Sequence, residues 1–177
     1  MLLFAPPARA AGSGSVTALD GSVRDPFTLG ARAHVFVFVR TDCPITNRYA
    51  PELRRIAEEF RARGAEFWLV YPDPKTTASA IKEHMTQYSF PGVALRDPRH
   101  ELAKRALATT SPEAAVFDAA GRLMYHGRID DLWASPGTSR PAAREHDLEN
   151  AIAAVLAGRA PTVKVTLPVG CWLADVE

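Results

Sequence analysis

The chain has 177 residues, 47% of them hydrophobic and 23% charged, which is the balance of one globular domain. Its 21 Lys and Arg offset 20 Asp and Glu, and a net charge of +1 excludes the clustered basic excess that nucleic-acid binding requires. No apolar run approaches the ~20 residues that span a bilayer, and two cysteines, Cys43 and Cys171, are too few for a disulfide scaffold or a four-thiolate zinc site.

Residues 1–14 read MLLFAPPARAAGSG. Ala8-Arg9-Ala10 has the small-x-small form of a signal-peptidase site, but no basic segment precedes the apolar stretch. Two readings stand: a signal-peptide remnant whose start lies upstream, or a disordered N-terminus, since Pro6, Pro7 and the Gly/Ser run from Gly12 hold no regular element. The domain body is set at 15–158, and 159–177 form an extension that carries Cys171. Within the body, Val16 to Asp20 and Val23 to Leu29 flank an Asp-Gly turn signal and predict a hairpin. Ala33 to Val39 (AHVFVFV) is β-branched and aromatic with almost no polar residue, the mark of a central strand covered on both faces. Ala50 to Arg63 has Leu53, Ile56, Ala57 and Phe60 at helical spacing, and Gly64 stops it. Glu66 to Tyr71 is a second buried strand, Thr76 to Tyr88 a helix, Val93 to Leu95 a brief strand, and Arg99 to Leu107 a short helix. Ala114 to Asp118 and Leu123 to Gly127 make a closing hairpin, Ser135 to Pro141 an exposed loop, and Arg144 to Ala157 the last helix. In the extension, Val163, Val165 and Leu167 alternate with polar residues as in a half-buried strand. Alternating β and α units with a closing hairpin predict an α/β fold: a central mixed sheet with helices on both faces and an N-terminal β-hairpin.

Cys43 stands where the central strand gives way to a helix, in FVRTDCPITNRYAPELRRI. Free amides and the positive end of the helix dipole there lower a thiol pKa from ~8.5 and favour the reactive thiolate. Pro44 is harmless at the first helical position, whereas Pro51, eight positions after Cys43, removes a ladder hydrogen bond. Asp42 is read as the helix N-cap. Arg128 to Asp131 reads as a charged turn, either a solvated loop or one fixed by a salt bridge, rather than a catalytic group.

A cysteine at the head of the first core helix, a proline eight residues into it, and Thr110-Ser111-Pro112 just before the strand at Ala114 together resemble the thioredoxin superfamily. Within it the chain is similar to the redoxin group of alkyl hydroperoxide reductase and thiol-specific antioxidant relatives, over roughly Val16 to Ala157. The resemblance implies a thioredoxin-like fold with Cys43 as redox-active thiolate. It also implies that Pro112 is the family's cis-proline, which lies against the active-site sulfur and offers a backbone edge to an incoming disulfide or peptide.

Two departures qualify the resemblance. The motif is Cys43-Pro44-Ile45-Thr46, so threonine replaces the resolving cysteine of Cys-x-x-Cys; Thr46 can donate a hydrogen bond to a thiolate but cannot close a disulfide. Arg40 and Pro112 stand where peroxiredoxins place a threonine and an arginine, which argues against efficient peroxide reduction. Cys171 either restores a remote resolving thiol or is a small buried hydrophobe beside Trp172. The site set is therefore Cys43, Thr46, Pro112 and Cys171. A thiol–disulfide oxidoreductase is expected, with a peroxiredoxin-like monothiol antioxidant as one alternative. The other is a non-enzymatic module that binds a partner or holds copper through Cys43, Cys171 and His126. Expected partners are a protein or small-molecule disulfide or peroxide and an external thiol reductant, with no nucleic acid, membrane span, cofactor or resident metal. The expected location is periplasmic or secreted, with the cytoplasm as the alternative.

Overall fold

The computed structural model describes residues 16–27 and 30–173; the expectation for 1–14 lies outside them. Among the described residues, seven strands form one mixed sheet: β1 (Val16–Ala18), β2 (Val23–Arg24), β3 (Ala33–Phe38), β4 (Ala65–Tyr71), β5 (Val93–Arg96), β7 (Glu113–Asp118) and β8 (Leu123–Gly127). Between β5 and β7 the chain makes β6 (Thr110–Ser111), which stands apart from this sheet. The order across the sheet is β2-β1-β5-β4-β3-β7-β8; β3, β4 and β5 run parallel at its centre, and both margins are antiparallel. The helices are α1 (Pro44–Arg61), α2 (Ala78–Tyr88), α3 (Glu101–Ala106) and α4 (Asp147–Leu156).

Strand β3 is buried throughout, and apolar except for His34, because it feeds two cores. Val35 and Val37 face one, with Leu53 and Ile56 of α1, Ile81 of α2, and Leu148 and Ile152 of α4. Phe36 and Phe38 face the other, with Leu102, Ala103 and Ala106 of α3. Each of these larger apolar side chains contributes about 1.5–3 kcal/mol by leaving water.

Four expectations are corrected. Helix α1 starts at Pro44 rather than Ala50, because Ile45, Thr46, Tyr49 and Ala50 extend its buried stripe, and it continues through Pro51. Strand β2 ends at Arg24: Asp25 turns the chain by accepting from the Phe27 amide (3.0 Å), and Pro26 has no amide for a ladder. The loop at Ser135–Pro141 contains a small hairpin, β9 (Trp133–Ser135) with β10 (Thr138–Ser139). Val163, Val165 and Leu167 are 48%, 59% and 86% exposed, so no half-buried strand forms there. That stretch runs along the outer edge of β8, where His126 N–H donates to Lys164 O (3.0 Å) and Thr166 N–H to His126 O (3.2 Å).

Two contacts anchor the parts that carry the site. Along that edge Thr166 points inward, and its hydroxyl accepts from Arg128 N–H (3.0 Å) and pairs with the Tyr125 hydroxyl (2.7 Å). It packs on Gly127, at φ +143°, where a Cβ would overlap Thr166. Gly127→Ala is expected to destabilise the protein by about 1–3 kcal/mol, read as a lower urea midpoint with unchanged slope. On the helix side, the Tyr71 hydroxyl and Asn47 Oδ1 hold the two ring nitrogens of His84 at 2.9 and 2.7 Å, tying α2 and β4 to the first turns of α1. Burial lowers the His84 pKa below 6.5, and that of His34 likewise. Below pH 6.5 the unfolded chain therefore binds more protons at these rings than the folded one. Stability should fall as the pH drops from 7.5 to 5.5, and His84→Gln should remove part of that fall in urea titrations at the two pH values.

Candidate active site

After β3 the chain turns through Arg40–Asp42 and enters α1 with Cys43 as N-cap, at φ −91° and ψ 110°. The first intrahelical hydrogen bond runs from Asn47 N–H to Cys43 O (3.2 Å), so the amides of Ile45 and Thr46 precede the ladder. No acidic residue sits in this first turn. Asp42 is not the cap: its exposed carboxylate takes Arg40 Nε (3.0 Å) and Nη2 (2.8 Å). The Arg40 hydrogen bond holds the Asp42 pKa down and balances its charge beside Cys43.

Of the two readings of Cys171, the structure takes the disulfide. Cys43 and Cys171 are bonded across 128 positions, with their Cα atoms 6.0 Å apart, ordinary disulfide spacing. Cys43 is wholly buried and Cys171 partly so. Cys171 lies on β11 (Cys171–Trp172), which pairs antiparallel with β6 in the register Cys171–Ser111 and Trp172–Thr110. The extension is fastened further by Leu173 N–H to Thr109 O (2.9 Å) and by Arg40 Nη1 to Trp172 O (2.8 Å). Leu173 is buried in the α3-side core, while Trp172 is 66% exposed.

Ser111 is the centre that the sequence reading missed. Its peptide bond to the buried Pro112 is cis, and its carbonyl oxygen lies 3.0 Å from Cys43 Sγ. A disulfide sulfur has no proton to donate, so this contact becomes a hydrogen bond only when Cys43 is a thiol. The Ser111 hydroxyl accepts from Arg40 N–H (2.8 Å) and pairs with the buried Thr46 hydroxyl (2.8 Å). Thr46 thus bonds Ser111 and not, among the described hydrogen bonds, the sulfur. Behind this edge the buried Glu113 accepts the amides of Thr109 (2.9 Å) and Thr110 (3.1 Å). The readable signals were a serine directly before the proline and a carboxylate opening the otherwise apolar run Glu113–Phe117.

Other singled-out residues lie elsewhere. His126 is opposite Ala115 on the α3 side of the sheet and meets Glu113 Oε1 at 3.3 Å. With both sulfurs bonded to each other and His126 on that face, the three copper-ligand candidates are not assembled. Arg128 pairs with Asp147 (2.7 Å), and Asp131 accepts the Arg144 (2.6 Å) and Glu145 (3.0 Å) amides, so this turn clamps α4. Glu52, His146 and Glu149 converge within 4.8 Å, but Arg55 donates to both carboxylates, which makes the cluster an ion-pair network.

A cysteine at a helix head, bonded to a partner cysteine above a sheet of this order, defines a thiol-dependent redox protein of thioredoxin type. The chain belongs to the AhpC/TSA family, whose family model matches residues 16–126. No curated protein matches the chain. Among solved structures, an uncharacterized conserved protein from Geobacillus kaustophilus is similar at 25% identity with a TM-score of 0.77, over 89% of this chain and 86% of that one. A hypothetical protein from Sinorhizobium meliloti is similar at 23% identity and TM-score 0.77, over 93% and 91%. A secreted Mycobacterium tuberculosis disulfide oxidoreductase homologous to DsbE shares the fold at 18% identity and TM-score 0.57, over 82% and 96%.

Protein isolated without reductant should take up a thiol alkylator only after reduction, with two additions by mass. Reduction removes a crosslink that closes a long loop, so the unfolding free energy should drop by about 2–4 kcal/mol in urea titrations with and without reductant.

Proposed function

We propose that the protein is a thiol–disulfide oxidoreductase in which Cys43 attacks and Cys171 resolves. The observation that carries this reading is the Cys43–Cys171 disulfide at the head of α1. In the reduced protein the Cys43 thiolate attacks a substrate disulfide, forming a mixed disulfide and releasing one substrate sulfur as thiolate. The Cys171 thiolate then attacks Cys43 Sγ and expels the second. The substrate gains two electrons and, from solvent, two protons; the protein ends as the closed disulfide, and an external thiol reductant returns the two electrons. Pro112 and the Ser111 backbone hold the substrate chain. Thr46 is a positioning residue that orients Ser111.

Peroxide reduction is the weaker reading, because the Arg40 guanidinium is already shared between Asp42 and the Trp172 carbonyl. A periplasmic or secreted setting suits a protein that rests as a disulfide, and the Mycobacterium tuberculosis relative is described as secreted.

Cys43→Ser is expected to abolish reduction of a model protein disulfide. Cys171→Ser should complete the first step only and accumulate a mixed disulfide on Cys43, found by peptide mass mapping. Full turnover by Cys43→Ser would refute the assignment.

A further inference from the structure

The bond between Cys43 and Cys171 is chemically the same as the bond between Cys43 and a substrate cysteine in a mixed disulfide. The backbone around Cys171 therefore displays how this site seats a polypeptide that is covalently held. We propose that Gly170–Leu173 occupies the protein's own substrate-docking edge, and that preferred substrates are extended polypeptides whose disulfide-bonded cysteine follows glycine and precedes, by two residues, a leucine-like side chain. This rests on the assignment of Cys43 as the attacking thiol.

Each position of the tetrapeptide meets a different constraint. Before the cysteine, Gly170 is pressed against β6, where a Cβ would overlap the Ser111 carbonyl and lie 3.0 Å from Thr110 Cγ2. The cysteine pairs with Ser111, directly before the cis Ser111–Pro112 bond. The next residue is unselected in its side chain, since Trp172 is 66% exposed, but Arg40 Nη1 reads its carbonyl (2.8 Å). The residue after that gives its amide to Thr109 O (2.9 Å) and buries its side chain among the α3-side core residues. A substrate that satisfies these four demands can take this edge only when the tail has left it. The two chains exclude each other at one edge. Resolution then follows from the same geometry: as the Cys171 strand returns to Ser111 it displaces the substrate backbone, and its thiolate attacks Cys43 Sγ, expelling the substrate thiolate. Release of the product and closure of the internal disulfide become one event.

The test uses the full-length Cys171→Ser protein, reduced, and three blocked tetrapeptides in which the cysteine carries thionitrobenzoate as leaving group: Gly-Cys-Trp-Leu, Leu-Cys-Trp-Leu and Gly-Cys-Trp-Ser. Release of the coloured thiol reports attack by Cys43, and the symmetric aromatic disulfide of thionitrobenzoate serves as the sequence-blind reference. Relative to that reference, the first peptide should react about tenfold or more faster than either altered one, the size of discrimination one apolar contact supplies. The same ranking should hold for the reduced unmodified chain, which does not depend on the variant folding well. Equal rates for all three peptides, with normal attack on the reference, would overturn the docking inference and leave the thiol assignment standing. Failure of Cys43 to attack the reference disulfide would overturn both.

Discussion

The architecture of this protein turns on one short backbone pairing, the two-residue ladder between Thr110–Ser111 and Cys171–Trp172. Two-residue ladders are weak by themselves, and this one is held from three sides. The disulfide ties it to the head of α1, Leu173 pins its far end in the α3-side core, and Arg40 reaches over it to the Trp172 carbonyl. Remove the crosslink and the remaining fastenings are one buried side chain and a few hydrogen bonds, each worth about 0.5–1.5 kcal/mol net. The extension is thus attached strongly in one redox state and weakly in the other. On the proposed chemistry, that difference lets a chain segment serve both as a structural strap and as the resolving arm.

The buried polar groups around Cys43 are arranged so that little is left for the sulfur to repel. Asp42 is the nearest acid in sequence, and its charge is returned to Arg40. Glu113 is deep in the fold, yet its carboxylate is spent on two backbone amides and His126. The Ser111 hydroxyl closes the set by joining Thr46 on α1 to the Arg40 amide after β3. A half-satisfied network at this depth would cost stability. With its members paired, it fixes the height of the Ser111 carbonyl relative to the sulfur.

Much of the fold was legible because its signals are local. The run at Ala33–Val39, apolar but for His34, reads as a strand covered twice, and Leu53, Ile56 and Phe60 recur at the period of one helix face. The start of α1 was harder to read, since two prolines seven residues apart suggest interruption, and only burial of Ile45, Thr46 and Tyr49 shows that the helix spans both. The alternation at Val163–Leu167 misled for the opposite reason. Period two marks a strand's two faces but not which of them is covered, and here Thr166 packs inward while Val163, Val165 and Leu167 face outward.

Cys43 could be singled out in the sequence because it stands where the central strand gives way to its own helix, a few residues away. Pro112 could be placed because it adjoins a strand with a clear pattern. By itself the sequence determined the order of elements, the mixed sheet and the position of the thiol, all consequences of short-range periodicity and of residues such as Pro44 and Gly64 that restrict their own backbone. It left undecided whether Cys171 pairs with Cys43 or is a small buried hydrophobe, made Asp42 a cap, and aimed Thr46 at the sulfur. Those questions depend on which residues meet across 128 positions of chain. Only the tertiary structure decided them, because a disulfide partner, a hydroxyl's acceptor and a carboxylate's cation are chosen by packing in three dimensions and leave no periodic trace along the chain.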